Sequence, residues 1–236
     1  MAEGWGKVWM AMRSERSGCA RRATAATALL LAALSVAAAP AGRQARSASP
    51  PDADAEARAI TQIVTAAEVA AWARAHRDVQ AMLVAARMMD DVRTRQESGD
   101  APFLTASTLL DEAEAMAGDD PAIRAEILRL RTQDKGVRAS AFGAGPIVLV
   151  RRVQARQTFG FEIEVRRDEV LRVAAIGDGD TNIDLVLRDR SGTIVCLDSS
   201  QDHYPVCTVA RPQGGALRVE VVNHGGVWSR VQILTN

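Results

Sequence analysis

Four segments in the second half of the chain carry an apolar residue at every other position. They are "FGFEIEV" (Phe159, Phe161, Ile163, Val165), "IDLVL" (Ile183, Leu185, Leu187), "ALRVEVV" (Leu217, Val219, Val221) and "SRVQIL" (Val231, Ile233). Side chains of a strand alternate between its two faces, so a period of two marks a strand with one face buried and one wet. Gly, Asp or Asn bounds each run, which supplies turns. Seven or eight short strands at this spacing predict an antiparallel sandwich over 140–236.

The preceding stretch, 55–139, has a different period. "EARAITQIVTAAEVAAWARAH" repeats Ile60, Ile63, Val64, Ala67, Val69 and Trp72 near helical spacing, which makes Trp72 a helix-packing residue. Asp78 is placed to cap "VQAMLVAARMMDDVRTRQ", expected as one helix with Met82, Leu83, Ala86 and Met89 on its buried face. "LTASTLLDEAEAMA" follows with Leu109, Leu110, Ala113 and Met116. Asp120 and Pro121 then open a fourth helix, Pro being suited to a first helical position, with Ile123, Ile127, Leu128 and Leu130 inward. The stretch "LLDEAEAMAGDDPAIRAEI" resembles tetratricopeptide-like helical hairpins. One or two units fall short of the roughly three such an array needs, so the reading preferred is a small helical module packed on its neighbour. The fold class expected is therefore α+β: helical hairpins followed by a jelly-roll-like sandwich.

The N-terminus reads as an address. Arg21 and Arg22 precede the apolar run "ATAATALLLAALSVAAAPAG", and Ala39-Pro40-Ala41 offers a small-residue cleavage site, so 1–41 has the form of a secretory signal peptide. The run is short and Ala-rich for a bilayer span, which argues against a membrane span after cleavage. "GRQARSASPPDAD", 42–54, reads as a flexible linker. The whole chain has formal net charge +0; residues 1–41 hold five basic and two acidic side chains, so the remainder carries about −3. No basic footprint argues for nucleic acid. Cys196 and Cys207 are the pair left after 1–41, and an even pair in an exported chain predicts a disulfide closing a hairpin loop around "LDSSQDHYPV".

"FEIEV", "VLRVAAIGDGDTNIDLVLRDRSGTIVCLDSS", "CTVARPQGGALRVEVVNHG" and "SRVQILTN" follow one another in an order that resembles the bacterial pre-peptidase C-terminal domain, over about 145–236. Leu217 stands where that family often carries an aromatic residue. The resemblance implies a jelly-roll-like sandwich of a secreted protein, sometimes calcium-binding, often attached to a peptidase. This chain shows no peptidase motif, so the peptidase association implies at most an accessory role.

Candidate chemistry is sparse. In "GDGDTNIDLVLRD", Asp178, Asp180, Asn182, Asp184 and Asp189 echo a calcium loop, but Ile183 stands where such a loop needs glycine and Asp189 where it needs glutamate. A Gly/Asp turn whose carboxylates bind local backbone is the reading preferred, with calcium as the alternative and no other cofactor expected. Ser199, His203 and Asp198 supply the residue types of a hydrolase triad, but no nucleophile motif surrounds them. The arginines of "VLVRRVQAR" read as a solvated strand face, and Trp228, beside Gly225 and Gly226, is a candidate contact residue. The expectation is an exported, periplasmic or secreted protein without catalysis, which binds another envelope protein or an extracellular polymer. The alternative is an accessory or maturation module for a separately encoded hydrolase or peptidase.

Overall fold

The computed structural model describes residues 52–97, 99–133, 145–201, 203–211 and 213–236. The expected signal peptide, most of the expected linker and the expected module boundary at 139/140 lie outside the described residues.

Four helices come first: α1 (Ala53–His76), α2 (Val79–Asp90), α3 (Ala106–Ala117) and α4 (Pro121–Gln133). Their starts are set by side chains that accept the amides a helix N-terminus leaves unpaired. Asp52 accepts from the Asp54 and Ala55 amides, Asp78 from Ala81, and Asp120 from Ala122 and Ile123, while Thr105 and Thr108 form a reciprocal capping box. Arg77 adopts a left-handed conformation (φ 53°), so α1 ends and α2 begins within two residues.

Among the described residues nine strands form two sheets. Sheet A contains β1 (Arg95–Gln96), β2 (Ile147–Val153), β9 (Ser229–Thr235), β4 (Glu169–Gly177) and β7 (Val206–Arg211), in the order β1-β2-β9-β4-β7. Sheet B contains β3 (Thr158–Val165), β8 (Gly215–Asn223), β5 (Ile183–Arg188) and β6 (Ile194–Asp198), in the order β3-β8-β5-β6. Every ladder is antiparallel except the two-residue pairing of β1 with β2. Orders β2-β9-β4-β7 and β3-β8-β5-β6 are those of a jelly roll, so the α+β architecture expected from the periodicities is the one observed.

Sheet A lies between two apolar layers. Leu171, Val173 and Ala175 of β4 face sheet B, where they meet Ile183, Leu185, Leu187, Val219 and Val221. The alternate residues Ala174 and Ile176 belong to a second core with Ile60, Ile63, Ala67, Met82 and Leu109 of the helices. This explains why "VAAI" on β4 and "IVLV" on β2 are apolar without alternation: both faces are covered. Small residues Ala66, Ala67, Ala70 and Ala73 form the fully buried side of α1, which packs against β4.

Several local expectations are corrected. The second helix stops at Asp90, and Arg95–Gln96 leaves it to pair with the free edge of β2. Trp72 is 50% exposed and stacks on His76 at 4.1 Å, because in this half of α1 the buried side is made by Ala66, Ala67, Ala70 and Ala73. Leu128 is exposed too: α4 packs on α3 through one narrow stripe around Ile127, and Leu128 lies about 100° round the helix from it.

Candidate binding cleft at the open edge of the sandwich

A two-sheet sandwich has two long sides where the sheets' edge strands face each other. On one side β6 faces β7, and Cys196 is disulfide-bonded to Cys207 with their Cα atoms 5.9 Å apart. β6 pairs with β5 and β7 with β4, so the bridge joins sheet B to sheet A rather than closing a two-stranded hairpin, as the short spacing had suggested. Jelly-roll connectivity sends consecutive strands to opposite sheets here, which brings the cysteines together across the core.

The other side, between β2 and β3, has no such bridge. It opens into a cleft of about 460 Å³. Phe159, Phe161 and Ile163 of β3 form one wall and Leu149 and Leu171 of sheet A the other. The three β3 side chains point inward by the strand's period of two, yet each stays half-buried because, among the described residues, no strand lies beyond β3 to cover it. Phe159 and Phe161 pack tilted at 5.8 Å, and the Arg151 guanidinium lies 5.8 Å from the Phe159 ring centre.

The floor of the cleft is polar and fully occupied. Glu56, 4% exposed in the first turn of α1, accepts from the Arg95 guanidinium at 3.0 Å and from the Gly145 amide at 2.9 Å. Arg95 also donates to the Gly145 carbonyl at 2.6 Å. Asn236 accepts from the Arg172 amide and donates to the Val170 and Ala53 carbonyls, so it extends the β9–β4 ladder and ties α1 to it. A buried carboxylate is tolerated only when paired and hydrogen-bonded, and Glu56 meets both conditions.

The aspartate loop is divided among separate tasks. Asp178 accepts from the Ser229 hydroxyl at 2.7 Å and the Arg230 amide at 2.8 Å, fastening the end of β4 to the start of β9. Asp180 is exposed. Asp184 lies 2.8 Å from the His224 ring and 3.4 Å from the Asn182 amide nitrogen. Asp189 stands past the far end of β5, about 17 Å of strand from Asp184, and accepts from the Ser191 amide and hydroxyl and the Thr193 amide. Those bonds, the Ser191 hydroxyl first, hold its carboxyl below the usual range. Among the described residues no three His, Cys, Asp or Glu side chains are grouped to hold a metal.

In the hydrolase-type set Ser199 is exposed, and Asp198 and His203 have separate partners. Asp198 accepts from Ser200 (amide and hydroxyl) and from the Val206 amide. Partial burial pushes its carboxyl up, but those donors outweigh burial and leave it below the ordinary value. The His203 ring lies 2.9 Å from the Thr181 carbonyl. Trp228 is 41% exposed at the β8–β9 turn, with the Arg152 guanidinium 4.2 Å over its ring. Arg152 is exposed as expected of a solvated strand face, whereas Arg151 is partly buried at the cleft.

Sequence reading placed Phe159, Phe161 and Ile163 in the core and did not foresee the cleft. "FEIEV" gives the alternation, but only the strand order shows that β3 is an edge. Arg95 was assigned to a helix and Glu97 to a helix break, and neither carried a signal that it borders a cavity.

No family model matches the chain, and none of the curated proteins matches it. Among solved structures the chain is similar to the pre-peptidase C-terminal domain of collagenase from Bacillus anthracis, at 8% identity over 38% of this chain and 87% of that one, with a TM-score of 0.34. It is similar to the Yersinia pseudotuberculosis-derived mitogen at 10% identity over 39% and 85%, with a TM-score of 0.31. It is also similar to a periplasmic inhibitor of g-type lysozyme from Aeromonas hydrophila, at 11% identity over 42% and 92%, with a TM-score of 0.31. The first belongs to the family that the order of sequence motifs resembles.

Proposed function

We propose that this chain is an exported, non-catalytic binding protein of pre-peptidase C-terminal type, and that it holds a partner in the cleft between β2 and β3. The observation that carries this reading is the half-buried aromatic wall of Phe159, Phe161 and Ile163 on an unbridged sandwich edge. Large apolar side chains left partly in water around a concave space are what a binding site offers its partner. Export is supported by the Cys196–Cys207 bond, since disulfides persist in oxidising compartments. Among the described residues no helix is long and apolar enough to cross a membrane. A binding role without catalysis is supported by these carboxylates being committed to structural bonds: Asp189 and Asp198 take donors from nearby residues, and Asp178 takes donors from the start of β9.

A photo-crosslinking amino acid placed at Glu164, on the cleft rim, tests the reading against the same group placed at Leu197, exposed on β6 on the opposite side. The expected result is an adduct from position 164 that disappears with Phe161→Ser, and none from position 197. A secreted hydrolase in the adduct assigns the accessory role; a structural or transport protein assigns the scaffold role. Equal labelling from both positions, or none, would overturn the cleft as the site.

A further inference from the structure

Resting on the cleft as the binding site, we propose that the free edge of β3 takes up an extended peptide segment of a partner protein, with basic and apolar side chains in alternation. Three features converge on this occupant. First, β3 is the last strand of sheet B, so half of its backbone N–H and C=O groups point away from β8 with no strand beside them among the described residues. Such an edge is a template for another strand. Second, Phe159, Phe161 and Ile163 repeat every second residue along the cleft, about 7 Å apart. An added strand places its own alternate side chains at the same interval.

Third, the charge is one-sided. Five glutamates and three arginines border the cleft, Glu162 and Glu164 alternating along β3 with the inward-pointing apolar residues and facing its outer side. Glu56 is paired with Arg95 and Glu169 with Arg166. Glu97 and Glu162 form no ion pair among the described residues, and Glu164 reaches Arg190 only at 3.5 Å with both side chains exposed. A basic segment completes these groups. The same charges disfavour a second copy of this chain on the edge, because antiparallel β3–β3 pairing sets glutamates against glutamates. A glycan fits less well: the Phe159 ring face is shared with Arg151 and the Phe161 ring is tilted against it, so neither offers a flat open platform.

The test is an NMR titration of the full chain with a synthetic octapeptide of alternating lysine and valine, beside one of alternating glutamate and valine. The lysine peptide is expected to bind and to slow amide exchange along the outer edge of β3. The double variant Glu97→Gln/Glu162→Gln is expected to weaken it about three- to tenfold, the range two exposed ion pairs supply, while the glutamate peptide binds no better than background. Equal binding of both peptides would overturn the charge argument, and protection on β2 or β6 would overturn the β3 edge. Failure of both peptides to bind, with position-selective crosslinking at 164 intact, would remove the peptide class and leave the cleft. Failure of both experiments removes both. Sedimentation showing a dimer that Phe161→Ser dissolves would make a second copy the occupant instead.

Discussion

The Gln232 side chain and the Leu104 backbone exchange two hydrogen bonds across the interface between helices and sheet A, amide to side-chain oxygen at 3.2 Å and side-chain nitrogen to carbonyl at 3.3 Å. Gln232 is 3% exposed and lies on the helix-covered face of β9, where its neighbour Leu234 is apolar. It supplies the ladder partners that the loop before α3 lacks. Gln232→Leu keeps a similar volume but leaves a buried amide and carbonyl unmatched, so it is expected to lower stability by about 2–4 kcal/mol. Urea denaturation checks this, with unchanged cooperativity expected because sheet A contributes side chains to both the helix-side core and the sandwich core.

Cys196 and Cys207 lie 11 residues apart in sequence and join the two sheets at the edge opposite the cleft. A ring this short restricts the unfolded chain by about 2.5–3 kcal/mol. Replacing both cysteines by serine is expected to cost about that much. The same loss should follow from reduction of the unaltered chain, and reductant should not affect the variant. Thiol labelling of the denatured, unreduced protein should find neither residue free.

Glu220 accepts from Arg188 at 2.9 Å and Arg218 at 3.0 Å on the outer face of sheet B, and these guanidiniums, Arg188 first, hold its carboxyl below the ordinary value. A carboxyl whose folded pKa is depressed adds stability that is present above its unfolded pKa and is lost as pH falls through the folded one. Stability should therefore decline below about pH 4.5, the region where an ordinary glutamate takes up its proton. Glu220→Gln is expected to lower stability modestly at pH 7, by under about 1 kcal/mol for so exposed a network, and to make the acid decline shallower. Denaturation series at pH 7, 5 and 3 separate the two effects, and an unchanged slope in the variant would show that Glu220 is not responsible.

Trp72 illustrates what was legible in the sequence and what was not. The helix around it was readable from Ile60, Ile63 and Val64, but α1 buries a run of alanines, and alanine gives a weak periodic signal. Ile60, Ile63, Val64 and Ala67 were placed correctly on the buried side, but Trp72 was added to it and its ring went to solvent. Three of the four alternating strands, β3, β5 and β8, were readable because each has one wetter face, and β9 was readable because Arg230 and Gln232 interrupt the apolar run on its helix-covered face. β4 and β2 were less so, since helices cover one side and sheet B the other. Arg95–Gln96 was not readable at all: a two-residue strand takes its identity from the edge of β2, not from its own residues. The cysteine pair was legible as a bond, yet its bridging of two sheets depends on strand order, which no local pattern contains. The cleft depends on strand order in the same way.

The aspartate loop is where metal and backbone compete for the same oxygens. Calcium takes six to eight oxygen ligands within one small sphere. Asp178 is already bound by Ser229 and Arg230 and Asp184 by His224, and Asp189 lies beyond the other end of β5. Two nearby oxygens, the Thr181 hydroxyl and the Asn182 side-chain carbonyl, are buried without a hydrogen-bond partner. Two neutral ligands do not make a calcium shell, and gathering the rest would break the bonds that fasten β4 to β9. Millimolar calcium is therefore expected to leave the melting temperature within error. Occupancy at a hundredfold excess over the dissociation constant would add about 2.7 kcal/mol, a shift of several degrees that differential scanning fluorimetry resolves easily. Asp178→Asn, by contrast, is expected to lower the melting temperature with or without calcium, because the Ser229 and Arg230 donors lose a charged acceptor. A calcium-dependent rise that chelation reverses and that both Asp180→Ala and Asp184→Ala remove would instead show that the loop reorganises around the ion.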